Sequence, residues 1–190
     1  MSQTSPILTD IQLPGPGVWD LDPSHSHAEF VVRHVMSKVR GRFTDFSGVI
    51  RVAERPEQSS VQAVIRAASV DTHHSDRDQH LRGPDFFDVE RYPTITFRSK
   101  RLELSEGSRF QIVGDLTIRD VTRGVTLDAE YHGTSPDPWG GERAGFSAAT
   151  EVDREDFGLK WNMALDTGGF VLGNKVRLEL EIEAVRRSEA

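Results

Sequence analysis

From Trp19 onward, apolar and polar residues alternate with a period of two, the pattern of strands in a sheet with one buried face. In HAEFVVRHVM, Ala28, Phe30, Val32, His34 and Met36 share one face, while His27, Glu29, Val31 and Arg33 share the other. The same alternation groups Val61, Ala63, Ile65 and Ala67, then Ile95 and Phe97, and after a change of phase Leu102 and Leu104. It returns in Phe110, Ile112, Gly114, Leu116 and Ile118, in Val125, Leu127, Ala129 and Tyr131, and in Phe146, Ala148, Thr150 and Val152. It ends with Val176, Leu178, Leu180, Ile182 and Ala184, opposed by Arg177, Glu179, Glu181 and Glu183. With the segment from Arg42 to Val52, the pattern predicts about eight strands.

Between Phe43 and Phe46 the phase shifts, which suits a bend at a barrel corner. Long one-sided strands, short turns and the absence of long helical patterns favour an all-β fold, an antiparallel barrel, since closure removes exposed edges. A two-sheet sandwich is the rival. Two long connections break the economy of short turns. Residues 71–93 offer Ser75 as an N-cap, Asp76 and Asp78 in a first turn and Gly83 as a stop, so they predict a short helix. Residues 154–174 carry Phe157, Leu159, Trp161, Met163, Leu165, Phe170 and Leu172, too apolar for a solvated linker. Connections this long are usually functional, and both are expected near one barrel mouth, the second as a mobile cap.

Composition narrows the partners. The chain has 190 residues and a formal net charge of −7, with no cysteine. The length suits one domain with a sizeable core, a barrel over 18–186 flanked by a flexible tail at 1–17 and a short tail at 187–190. An acidic balance lacks the basic stripe that phosphate neutralisation requires, so nucleic acid is not expected as a partner. Without thiols there is no disulfide frame, thiolate nucleophile or sulfur-ligated zinc. The first residues have no basic start and no continuous apolar run, and no segment is long enough to span a bilayer, so a cytoplasmic protein is expected.

Candidate chemistry is sparse. Opposite parity sends His34 to a different face from His25 and His27, so one strand cannot aim all three at one ion. Asp76 and His80 would share a helix face and, with His73, could serve a metal-assisted hydrolase or isomerase, but no H-E-x-x-H spacing supports this alternative. No G-x-S-x-G elbow is present, and the DFG at Asp156–Gly158 stands without a Gly-rich loop or H-R-D. No catalytic residue, metal or cofactor is expected. A filled barrel serving as a structural or protein-binding module is the third reading.

Four separated blocks, DPSHSHAEFVVRHVMSKVRGRFTDFSGVI, SVDTHHSDRDQHLRGPDFFDVERYPTITFRS, GDLTIRDVTRGVTL and EVDREDFGLKWN, resemble in order and spacing the signatures of the YceI-like family. The resemblance covers nearly everything from Val18 to Val185. It implies an eight-stranded lipocalin-like antiparallel barrel that carries or sequesters a long-chain amphiphile: a polyisoprenoid, an isoprenoid quinone or a fatty amide. Family members often look dimeric, which adds a homodimer to the states expected. Periplasmic members carry a secretion signal, and this N-terminus does not look like one.

On this reading the wall candidates are Phe30, Val32, Ile95, Phe97, Leu116 and Phe146, and the mouth candidates are Phe86, Phe87, Trp161 and Met163. His34, Arg77 and Arg82 are the polar groups expected at a head group. Interior Ala63, Ala67, Gly114, Ala129 and Ala148 are expected to leave free volume. Each buried five-carbon unit would contribute about 4 kcal/mol, at about 0.8 kcal/mol per methylene. Association costs on the order of 4 to 15 kcal/mol, so several units must be buried for firm binding.

Overall fold

The computed structural model describes residues 12–105 and 107–188. Eleven strands form one antiparallel sheet: β1 (Gly17–Leu21), β2 (His27–His34), β3 (Ser37–Phe43), β4 (Phe46–Val52), β5 (Ser60–Arg66), β6 (Val70–Asp71), β7 (Thr94–Leu104), β8 (Arg109–Ile118), β9 (Val121–Pro136), β10 (Glu142–Asp153) and β11 (Leu172–Arg186). Three pairs are single bent strands. β1 and β2 lie along the same edge of β11, β3 and β4 meet at Thr44 and Asp45, and β5 and β6 meet at a 3-10 turn over Ala67–Ser69. Counted so, the sheet is an eight-stranded antiparallel barrel, closed where Trp19 to Leu21 pair with Arg186 to Ala184. Closure excludes the sandwich.

Side-chain parity follows the sequence pattern. Ala28, Phe30 and Val32 are buried, and the phase change after Phe97 is a register shift between Ser99 and Arg101. Phe46 resumes the inward face lost at Thr44. One position departs: Met36 lies in the β2–β3 turn, 92% exposed, because Val35 adopts φ 53° and ends the strand's alternation.

The two barrel ends differ. At the end holding the termini and the β4–β5, β7–β8 and β9–β10 turns, side chains fill the interior. Leu102, Phe110, Ile112, Leu127 and Ala129 form one cluster there, and Trp19, Ala144 and Ala184 another. Most of the segment expected to be a tail up to residue 17 lies outside the described residues, namely 1–11. Residues 12–17 are packed: Gln12 N donates to Gly107 O, Leu13 packs on the filled cluster, and Trp19 Nε1 donates to Gly15 O. At the C-terminus Arg187 is tied to β1 through Val18 O and Asp20, while residues 189 and 190 lie outside the described residues.

At the opposite end β6 pairs only with β3, which leaves its other edge without a strand. Helix α1 (Ser75–Arg82) and the following turn cover that edge. Exposed edge groups need partners, and the helix supplies them. Thr72 N donates to Asp78, Arg77 donates to Thr72 O, and Arg82 donates to Ala68 O and Val70 O at 2.8 and 2.9 Å. The helix is capped one residue earlier than expected, by His74 Nδ1 accepting from Arg77 N, so Ser75 is its first residue.

Candidate functional site

Above the filled half, between the walls and α1, lies an apolar cavity of about 550 Å³. Phe30 and Val32 on β2, Ile95 on β7 and Leu116 on β8 form part of its wall, as the period-two pattern requires. The adjoining face of β11 presents Val176, Leu178 and Leu180, with Leu178 in register with Phe30. On the helix side Phe86 and Phe87 close the gap beside β6, Phe87 meeting Phe43 at 5.6 Å between ring centroids. Trp161 and Met163 stand at the mouth, Trp161 edge-on to His80 at 4.6 Å and tilted against Phe86 at 5.5 Å.

Ionisable groups gather at the mouth. His34 ends β2, and Asp76, Arg77 and His80 lie on α1; all four reach the cavity lining. His80 Nε2 is 2.8 Å from Asp85. Arg77 also holds Thr72 through Oγ1 and the carbonyl. Glu29 contributes only from the wall, for its carboxylate pairs with Arg40 on the outside at 2.6 Å.

Three expected site residues stand off the cavity. Phe146 belongs to the filled half, its ring 5.4 Å from Tyr131. Phe97 touches both the cavity-lining cluster and the filled cluster, so it separates them. Arg82 is occupied by the carbonyls of the β6 edge. The small residues do not mark free space either. A methyl on Gly114 would come within 2.6 Å of the Phe97 ring, and Ala129 and Ala148 lie in or against the filled cluster. Small side chains here make room for large neighbours, which is how close packing is reached.

Sequence reasoning missed Arg154. It is 6% exposed, with Nε donating to Gly173 O, Nη1 to Leu159 O and Trp161 O, and Nη2 to Asn174 Oδ1. Burial pulls its pKa down, against the pull of Glu155 and Asp153. It staples the first half of the apolar connection to β11, and Asn162 repeats the tie through both backbone groups of Leu172. Only a run of neutral carbonyls beside a basic residue could have signalled this, and carbonyls are invisible in a sequence. Beyond Asn162 the connection folds back as a short hairpin, Ala164 bridging Phe170, so Trp161 and Met163 line the cavity while Leu165 does not.

The alternative catalytic group is not assembled. His73 has φ 59° and points outward, 74% exposed in its side chain, while Asp76 and His80 face the cavity. Among the described residues, one set of three ligand-type side chains comes within reach of a shared ion: Asp22, His25 and Glu183. A cation already sits there. Arg143 Nη1 bonds Asp22 at 2.7 Å and also Glu183, and Nε bonds Asp137 at 2.8 Å. This guanidinium, with His25, holds the Asp22 carboxyl far below the usual range.

A family model for the YceI-like domain matches residues 19–184, which spans the closed barrel and its cap. The chain belongs to the YceI-like family. A UPF0312 protein of Pseudomonas aeruginosa is 38% identical over 170 residues, covering 88% of this chain and 85% of its own. Protein YceI of Escherichia coli O157:H7 is 39% identical over 146 residues, 76% of each chain. Among solved structures, the YceI-like protein of Campylobacter jejuni superposes with a TM-score of 0.69 at 31% identity, covering 80% of this chain and 88% of its own. A polyisoprenoid binding domain from Saccharophagus degradans gives 0.67 at 18% identity over 91% of this chain and all of its own, a likeness of fold alone. Among the described residues no helix is long and apolar enough to cross a membrane.

Proposed function

We propose that this protein binds, and carries or sequesters, a long-chain amphiphile with its chain inside the barrel and its polar end at the mouth. The observation that carries the reading is the apolar cavity of about 550 Å³, within the range of small-molecule sites, whose ionisable groups His34, Asp76, Arg77 and His80 lie at one end. Burial of a flexible apolar chain against Phe30, Leu178 and Trp161 is favourable without any directional contact, so the site suits a chain better than a polar substrate. The ligand class is a polyisoprenoid, an isoprenoid quinone or a fatty amide. Membership of the YceI-like family supports it, as does the likeness of fold to the polyisoprenoid binding domain of Saccharophagus degradans. No reacting group is required, because binding itself is the activity. The test is purification without detergent, followed by native mass spectrometry and organic extraction. A stoichiometric long-chain lipid is expected. A protein that emerges empty and takes up no added prenol, quinone or fatty amide would sink the reading.

A further inference from the structure

We propose that the tip formed by the β2–β3 turn and the hairpin over 163–171 is a docking surface for an anionic lipid bilayer, which brings the cavity mouth against the membrane. Among the described residues six large apolar side chains are exposed, and four of them lie on this tip: Val35, Met163, Met36 at 92% and Phe170 at 66%. The other two stand apart, Val64 on β5 and Trp139 in the β9–β10 turn at the closed end. Grouped apolar exposure of this kind marks an interaction site. The two turns are one unit, for Val35 N donates to Val171 O at 2.7 Å and Val171 N donates to Met163 O at 2.9 Å. Val35 holds φ 53°, a costly conformation for a β-branched residue, and the turn it makes leaves Met36 outside the barrel.

Size, charge and position name the occupant. Stable protein interfaces take roughly 20 to 30 residues a side, far more than two turns present, whereas a bilayer needs only shallow insertion of apolar side chains. Arg33 and Lys38 pair across the β2–β3 hairpin and Lys160 precedes Trp161, all three exposed, while 163–171 adds one acid, Asp166. Arg33 Nε donates to the carbonyl of Val35, so its charge is left for an outside partner. A chain of formal charge −7 therefore presents a basic tip. Anionic head groups attract such a tip, and two like-charged copies of it repel each other. The acidic remainder of the chain, Asp76 and Asp85 on the helix side of the mouth included, opposes close approach and keeps the contact brief. Met163 and Val171 also line the cavity, so the exposed patch and the apolar interior share a rim. On the proposed lipid binding, on which this rests in part, a chain leaving the bilayer passes over Met163 into the barrel without crossing water.

The test is co-sedimentation with vesicles of phosphatidylglycerol and phosphatidylcholine in equal parts, beside vesicles of phosphatidylcholine alone. Affinity for farnesol without vesicles is read in parallel by displacement of a fluorescent fatty acid. The protein should sediment with the mixed vesicles and about fivefold or more less with the neutral ones. Met36→Ser and Phe170→Ser should each lower capture about tenfold and leave farnesol affinity unchanged, because neither residue lines the cavity. Lys38→Glu should remove the preference for anionic vesicles. Trp139→Ser, at a position 84% exposed at the closed end, should sediment like the parent. Thermal melts check that these surface variants fold. A parent that ignores both vesicles, capture that survives in Met36→Ser and Phe170→Ser, or an equal loss in Trp139→Ser would overturn the docking surface. A dimer that dissociates in Phe170→Ser, seen by sedimentation velocity, would overturn it too and give the patch to a second copy. Farnesol left unbound while vesicle capture follows the pattern above would remove the lipid reading and keep the surface.

Discussion

The two ends of the barrel are built from the same alternating strands and reach opposite results. At the closed end, Trp19, Phe110 and Ile112 interdigitate with Ala144, Ala184 and Ala129, and nothing is left to fill. At the open end, Phe30, Phe86, Trp161 and Leu178 are larger on average, yet they surround a cavity. The difference is not hydrophobicity. It lies in what stands between the walls: at the closed end strand side chains pack directly on one another, and at the open end Phe86 and Phe157, from the turn after the helix and the long connection, also enter.

The largest expected effect separates the ends by stability. Phe110→Ala would open a new void in packed surroundings and should cost roughly 3–5 kcal/mol. Leu178→Ala enlarges a void that exists, so it should cost less, at the low end of about 2–5 kcal/mol, and should change ligand affinity instead. Urea unfolding with parallel prenol binding measures both. Equal costs would mean that the open end is as tightly packed as the closed one.

A smaller effect comes from the two glycines beneath aromatic rings. An added Cβ at Gly114 meets Arg98 O at 2.6 Å as well as the Phe97 ring, so Gly114→Ala must move backbone and should cost about 1–3 kcal/mol. At Gly41 the three nearest atoms to an added Cβ all belong to the Phe30 ring, the first at 2.3 Å. That ring can swing into the cavity. Gly41→Ala should therefore cost less stability and weaken prenol binding, as seen by thermal melts and displacement; the reverse ranking would put the free space on the wrong side of Phe30.

The smallest effect tests the charges that hold the closed end. Asp22 has its folded pKa depressed by Arg143 and His25, below an unfolded value of about 3.9. Its contribution is thus fully present above the unfolded value, and it is lost as pH falls through the folded one. Arg143→Leu should be less stable than the parent near neutrality, with the gap narrowing as acid is added. Ligand affinity at neutral pH should not change. A gap that widens on acidification would mean that Asp22 draws nothing from Arg143.

Much of this was legible in the chain because strands record burial at every second residue. The inward faces of β2, β7 and β8 could be read directly, and so could the bulge between Phe97 and Leu102 and the helix with its stop at Gly83. Phe30, Val32, Ile95 and Leu116 line the cavity for that reason, whereas Phe86, Phe87, Trp161 and Met163 reach it from turns and loops. Parity tells which face a residue takes but not how far along the axis it lies from a floor. Phe146 and Leu116 share the inward pattern and end up in different halves.

Charged residues were less legible still. Arg82 resembled a head-group ligand, but the unpaired edge of β6 claims it; Arg154 resembled a surface residue, but four acceptors from 159–174 enclose it. Their partners are mostly backbone carbonyls, which every residue carries, so no residue type announces them. The sequence by itself determined the antiparallel strands and their faces, because periodicity and turn chemistry are local, and its four blocks marked the family; closure against the rival sandwich was seen only in the pairing of β1 with β11. Only the tertiary structure decided where the interior is hollow, since a cavity is a property of what side chains from distant strands leave unfilled between them.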